Sequence, residues 1–549
     1  MVSRVLGLAR DMVCAAVFGA SGTWAAFIVA LKVPNLFRRL FGEGALSASF
    51  IPIFSQRFHT EGAISAEKAA QQVVGVHVAV LAGLTVVGEF IIAGLWFVQP
   101  AGEDGSLTRG QLALLLSAIM LPHVLSVCTT ALLGGMLNVL RNFWIPTLAP
   151  IIINVFEIAG VVVAWSLHRA GQLPSLAPVV AAVMVAGVVE VAIPWWALRR
   201  RGITIIPRIA WDDPAVRNVI RLMAPAALGL AAVQVNVLAD SLIAMWCIPS
   251  KGAPVILEYA QRLYQLPLGV IGISVATAIF EQMSAEAAHK QIDSLRNTAL
   301  EGLKLMLFVG LPISVGMAMV AWPLSSVLFQ HGKFTAASAN LVAYTSVFYM
   351  LGMWAYMSQH VYARGFYALQ RPHVPARIAT WMVGLNLALN LVLVRFMREA
   401  GLALSTAISA YAQIVLLSIA WRRTTGSFAI KGLLVSLLRT SLATGGMAGA
   451  IVVIRWLLDI GLASVAQVQP AGVLGRMLAH HQFSNIAHLL ASTLVGGVVF
   501  WILAHLLGCP ETRSLLEGLG RRRARAKDRA AAQATAAPAA EAVSAGTAK

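Results

Sequence analysis

Apolar runs of about twenty residues, the length that crosses a ~30 Å hydrocarbon core, recur along this chain from its first residues to about Gly508. Short polar or basic breaks separate them, and the apolar positions fill the runs on all sides instead of marking one helical stripe. That pattern predicts helices immersed in lipid. About fourteen spans are expected on the length criterion, covering residues 2–20, 23–54, 70–98, 111–139, 145–167, 176–198, 216–247, 255–283, 299–328, 341–369, 374–394, 402–419, 433–457 and 486–507.

Composition supports the same class: 58% of the 549 residues are hydrophobic and only 12% charged, with a mean hydropathy of +0.77. The net charge of +18 would suggest nucleic acid in a water-soluble protein. Here the basic residues gather at alternate helix ends, so no nucleic-acid partner is expected. Arg57, Arg141, Arg199 to Arg201, Lys290 with Arg296, Arg364, Arg371 and Arg377, Arg422 with Arg423, and the Arg521 to Arg529 segment fall on one side. By the positive-inside rule that side is cytoplasmic. Both termini then lie there, which requires an even number of spans. No cleavable signal is expected, because Arg4, Arg10 and Asp11 interrupt the first apolar run. Cys14, Cys128, Cys247 and Cys509 lack metal-ligand spacing and read as small apolar fillers.

The informative exception to apolar spans is a cationic cluster: Arg4, Arg10, Lys32, Arg38 and Arg39 all fall within the first two. A charge at the centre of a membrane helix costs roughly 2.5–3.5 kcal/mol, so the cluster is unfavourable by on the order of 10 kcal/mol unless it faces water or an anion. Lys32, Asn35, Arg38 and Arg39 are three and four apart and share a helical face. Pro34 removes a backbone hydrogen bond, and Gly42 and Gly44 follow, so this helix is expected to kink. A kinked helix lining a water-filled cavity would present arginines suited to a phosphate or pyrophosphate, which they hold with two parallel hydrogen bonds. The alternative is that Arg38 and Arg39 snorkel to an interface. Asp11 and Glu43 are candidate counter-ions.

Asp240 stands alone in the seventh span, while Asn386 and Asn390 lie one helical turn apart on the eleventh and Thr406 on the twelfth. One carboxylate with neutral oxygens fits a sodium site. It equally fits helix–helix hydrogen bonding. Glu89, Glu157 and Glu190 are further intramembrane acids, for which a proton relay or a buried ion pair is expected. No GxxxxGK[ST] loop is present and no aqueous loop gathers carboxylates, which argues against ATP hydrolysis by that route and against an enzyme. No cofactor is expected beyond that sodium ion.

Two halves of the chain are alike in parallel orientation. Gly135 to Pro146 leads into an apolar helix bearing Asn154, as Gly365 to Pro375 leads into one bearing Asn386; Lys32 with Pro34 in the second span matches Arg262 with Pro267 in the eighth. The fold class expected is an all-α polytopic membrane protein of two six-helix lobes in parallel pseudo-repeat with a C-terminal helix pair. The lobes occupy residues 1–200 and 212–422, the pair 430–508, and a disordered basic and Ala-rich tail 520–549. The tail's basic part reads as a lipid-head-group contact or as a topology anchor.

Several blocks carry a family resemblance: SRVLGLARD (Ser3 to Asp11), KVPNLFRRLFGEGALSASFIPIF (Lys32 to Phe54), LRNFWIPTLAPIIIN (Leu140 to Asn154), AQRLYQLPLGVIG (Ala260 to Gly272) and FQHGKFTA (Phe329 to Ala336). The chain resembles the MurJ/MviN lipid II flippases of the bacterial inner membrane, a branch of the superfamily that includes multidrug and polysaccharide exporters. The resemblance implies lipid II as substrate, alternating access between two lobes, and a groove of spans thirteen and fourteen for the polyprenyl tail. Membrane lipids and the cell-wall synthesis machinery are the partners it implies. By matching motifs, Arg4, Arg10, Arg38 and Arg262 take the roles of cavity arginines with Asp11 and Glu43 in support, beside Lys32 and Arg39. Asp240, Asn386, Asn390 and Thr406 fall where some members place sodium. The chain departs from the family pattern in four places: Trp24-Ala25-Ala26 where an acid is frequent, Gln261 before the arginine of the eighth span, the run Phe280-Glu281-Gln282 where a proline is common near the end of that span, and Asn390 where an aspartate can occur.

Overall fold

The computed structural model describes residues 2–100, 107–170, 176–427, 430–468 and 481–512; the side chains of residues 2, 42–48, 224–230, 232–233, 430, 462–468 and 481 are not described. Among the described residues the chain is helical throughout, with no strand. Helices α1 (Val2–Phe18), α2 (Gly22–Phe37), α3 (Ala45–Thr60), α4 (Ala63–Val98), α5 (Arg109–Met120), α6 (His123–Val139), α7 (Trp144–Arg169) and α8 (Ala177–Arg200) form the first half. The second half comprises α9 (Pro214–Cys247), α10 (Ala253–Pro267), α11 (Ile273–Ala288), α12 (Ile292–Met319), α13 (Ala321–Phe329), α14 (Ala336–Leu351), α15 (Met353–Ala368) and α16 (His373–Thr425). Then follow α17 (Ile430–Val468) and α18 (His481–Leu506).

Every apolar run of the sequence falls in helix. Among the described residues, and with α10 and α11 taken as one, eight helices are long and apolar enough to cross a membrane, nine if α5 and α6, bent by 45°, count as one span. The expected fourteen runs are cut differently. Runs nine and ten are each two helices, α12–α13 and α14–α15, whereas runs eleven and twelve are the two arms of α16, separated by the non-helical Arg398 with φ 51° and ψ −126°. Helix ends follow local chemistry. Ser21 caps α2 by accepting from the Trp24 N–H, and Thr108 with Gln111 forms a reciprocal capping box on α5.

The kink expected after Pro34 takes a particular form. A π-helical segment, Arg38–Gly44, joins α2 to α3, and a second, Leu268–Gly272, joins α10 to α11. Each begins six residues after the basic residue that the sequence comparison paired, Lys32 in one half and Arg262 in the other. A π-turn holds an extra residue, so it redirects side chains without breaking the helix. The halves also repeat a turn: Arg141 after α6 and Gln370 after α15 both adopt positive φ, and the following N–H closes back on the helix.

One apolar core, from Cys14, Phe18 and Trp24 to Tyr259, Phe329, Tyr349 and Trp421, runs through both halves. The α17–α18 pair packs at the side. Ala443, Met447, Ile451, Phe500 and Ala504 enclose Phe308 of α12, and Asn485 of α18 donates to Ser326 of α13 at 2.8 Å. The tail from residue 520 lies outside the described residues.

Candidate substrate cavity and its closed end

A cavity of about 890 Å³ lies between the halves, lined by α1, α2, α3, α6, α7, α8, α9, α10, α16 and the two π-segments. That volume is at the upper end for sites that enclose a small ligand. Its rim reaches the end of the bundle where the basic residues collect; there Arg201 donates to the Leu140 carbonyl at 2.5 Å and Arg296 to the Thr425 carbonyl at 3.0 Å. Arg4, Arg39 and Asn138 are exposed at that rim.

At the opposite end the halves meet in an apolar plug. Phe18 stacks on Trp24 at 4.9 Å and Trp24 on Phe27 at 4.7 Å, while Tyr259 stacks on Phe329 at 4.5 Å. The Trp24 indole N–H donates to the Tyr259 hydroxyl at 3.2 Å, tying the two stacks. Backbone closes what side chains leave open. A Cβ on Gly252 would stand 2.2 Å from the Ala20 carbonyl oxygen, and one on Gly332 2.2 Å from that of Ala16. The Lys333 N–H donates to Ala16 at 2.8 Å, and Arg109 donates to the Ser250 and Ile248 carbonyls at 2.9 and 3.1 Å. The uncharged Trp24-Ala25-Ala26 segment is thus explained: all three are buried in this plug, where an acid would have no water.

Between plug and rim lies a layer of ion pairs. Arg10 donates to Asp11 at 2.6 Å and to Glu157 of α7 at 3.2 Å. Arg262 of α10 sits 3.1 Å from the other Asp11 oxygen and 3.3 Å from Glu258. Lys32 of α2 reaches Glu258 at 2.9 Å and donates to the Ser241 hydroxyl of α9 at 2.6 Å. The pairing crosses between halves twice, Asp11 to Arg262 and Lys32 to Glu258.

Acids scattered along the chain meet in this cavity, so that Arg4, Arg10, Lys32, Arg38, Arg39 and Arg262 share its wall with Asp11, Glu157, Glu190, Asp240 and Glu258. Membrane burial explains it, because a guanidinium away from water is tolerable only beside an acid or an anion. The remaining basic residues of the wall lie toward the rim. Arg4 lies over Gly269 of the second π-segment, and Arg39 donates to Gln234 at 3.2 Å. Arg38 lies within electrostatic reach of His123 and Glu190. The Glu43 side chain lies outside the described residues.

The four residues read as a sodium site divide. Asp240, Asn386 and Asn390 meet: the Asn390 amide donates to Asp240 at 2.6 Å and to Asn386 at 2.9 Å, and the Ser405 hydroxyl donates to Asn390. Thr406 lines the cavity wall with Asp240, its hydroxyl donating to the Leu402 carbonyl of its own helix at 3.0 Å. Asn390 is a donor here, a role no carboxylate fills. Gln261 likewise donates to the Tyr349 hydroxyl at 3.0 Å. Sequence reading did not single out Glu258, Ser241 or Ser405. Glu258 lies four residues before Arg262, a spacing that places both on one helical face and was the available signal.

Two similar helical halves, an ionisable cavity at the basic end and a packed plug at the other define a polytopic membrane transporter. The sequence profile of the lipid II flippase MurJ family matches residues 14–465. A probable lipid II flippase MurJ of Rhizobium tropici is 30% identical, with 95% of each chain covered. A lipid II flippase MurJ of Burkholderia cenocepacia is 32% identical over 77% of this chain and 82% of its own. Among solved structures, a lipid II flippase MurJ in an inward closed conformation superposes with a TM-score of 0.71 at 21% identity, covering 92% of this chain and 98% of that one. An inward-facing multidrug transporter of the MATE family shares the fold at a TM-score of 0.64 and 12% identity, with 77% and 94% covered. The chain belongs to the lipid II flippase MurJ family.

Proposed function

We propose that this protein is a lipid II flippase, carrying the undecaprenyl-pyrophosphate-linked peptidoglycan precursor from the cytoplasmic to the periplasmic leaflet of the bacterial inner membrane. One observation supports it above the rest: in a chain of this family, a cavity with arginines at its basic rim is sealed beyond by a plug built from both halves. The basic end is the cytoplasmic one, with fourteen crossings and both termini on that side. The pyrophosphate meets Arg4, Arg38 and Arg39 first, where the forked guanidinium suits it. Lobes 1–200 and 212–422 then rock about the cavity while the tail stays against α17 and α18. Asp240, Asn386 and Asn390 are the place for a sodium ion that couples the cycle, and the cell-wall synthesis machinery uses the product. No group on this chain is assigned a bond-making step.

Native mass spectrometry of the purified protein tests the reading, with lipid II compared with another polyprenyl-linked glycan. Preference for lipid II, lost in Arg38→Ala, is expected. Equal binding of both lipids would favour a broader glycolipid exporter, and binding of neither would overturn the transporter assignment in favour of a membrane scaffold.

A further inference from the structure

We propose that Glu258 is the residue through which the closed end senses an anion in the cavity: it is the common counter-ion of Lys32 and Arg262, and an entering phosphate releases it by taking both. The inference rests on the anion-binding role of the cavity. Its two carboxylate oxygens are divided, one 2.9 Å from Lys32 in the first half and the other 3.3 Å from Arg262 in the second. The side chain is 21% exposed and lines the cavity, so the ion pairs are within reach of a ligand. The next residue, Tyr259, is buried in the plug and holds Trp24 by its hydroxyl. One turn of α10 therefore carries the cation latch and the plug together.

A ligand shifts a conformational equilibrium only by contacting the two states differently. Here the difference arises from exchange. A pyrophosphate carries more negative charge than one carboxylate and accepts bidentate hydrogen bonds from arginine. When it engages Lys32 and Arg262, Glu258 loses both partners, and the Lys32–Glu258 tie between the halves is gone. Asp11 keeps its bond to Arg10 in either case, so Asp11 is anchored within its own half and Glu258 is the acid set free. Arg10, the other cation within electrostatic reach of Glu258, is already held by Asp11 and Glu157.

The test uses the full-length protein in which Cys247, Cys128 and Cys509 are changed to Ser, leaving Cys14, which is 1% exposed inside the plug. Two quantities are read in Glu258→Gln: the affinity for inorganic pyrophosphate by calorimetry, and the rate of Cys14 labelling by a maleimide with and without pyrophosphate. Removing a competing charge is expected to tighten pyrophosphate binding on the order of tenfold at low salt. Labelling is expected to be fast already without ligand, whereas the parent needs pyrophosphate to reach that rate. Glu258→Asp, which keeps the charge, is expected to behave as the parent. Unchanged affinity together with slow labelling in Glu258→Gln overturns the proposal. If that variant does not fold, Lys32→Gln breaks the same tie; its Cys14 is expected to label fast, and slow labelling overturns the proposal equally. Neither readout contains lipid, so a latch that opens in a protein that ignores lipid II would sink the substrate assignment and leave this inference standing.

Discussion

Gly252→Ala isolates the packing of the closed end from its charges. Gly252 precedes α10 with φ −97° and ψ 6°, a conformation alanine also adopts, so backbone strain does not enter. The added Cβ would lie 2.2 Å from the Ala20 carbonyl oxygen, where ordinary contact begins at 3.4 Å. The chain segments of the two halves must therefore separate by about 1 Å or the plug must open. Overpacking of this kind costs about 1–3 kcal/mol, and the whole cost falls on the closed state. At about 1.4 kcal/mol per decade, the population with an open plug rises roughly 5- to 150-fold. Cys14 labelling in the single-cysteine background reads that population, and the rate is expected to rise by the same factor. Gly83→Ala is the control, because its Cβ meets nothing within 4 Å; it is expected to leave labelling unchanged. Parental labelling in a well-expressed Gly252→Ala protein would refute the assignment of Gly252 to the seal.

Burial decides the size of two other effects. Glu157→Gln leaves Arg10 with Asp11 as its one acid and puts a neutral amide where the carboxylate was 2% exposed, and a loss of about 1–3 kcal/mol is expected, whereas Asp212→Ala breaks a pair that is 67% and 93% exposed and is expected to change stability by less than about 1 kcal/mol. Denaturation of both variants in detergent checks the order, and equal losses would contradict it. For the proposed sodium site, the parent is expected to melt higher in sodium chloride than in choline chloride, and Asp240→Asn to lose that difference; a parent insensitive to the cation removes the site.

Some of this protein was legible in its sequence by itself. Helical lipid-embedded architecture follows from apolar runs, because burial in lipid leaves the backbone no hydrogen-bond partner outside its own helix. The cluster Arg4, Arg10, Lys32, Arg38 and Arg39 marked the cavity because charge in lipid is costly wherever it occurs. Likewise Pro34 and Gly42 announced a disruption at the right place, though the hydrogen-bond register that makes it a π-segment is a property of the folded helix. Tertiary structure alone decided which groups meet. Arg10 and Glu157 are 147 positions apart, and periodicity reports the face a residue occupies but not the helix opposite. For the same reason Glu258 was passed over, and acids scattered over α1, α7, α8, α9 and α10 proved to share one wall. What the chain itself could state was the cost of its buried charges; where each is neutralised depends on how the two halves close around them.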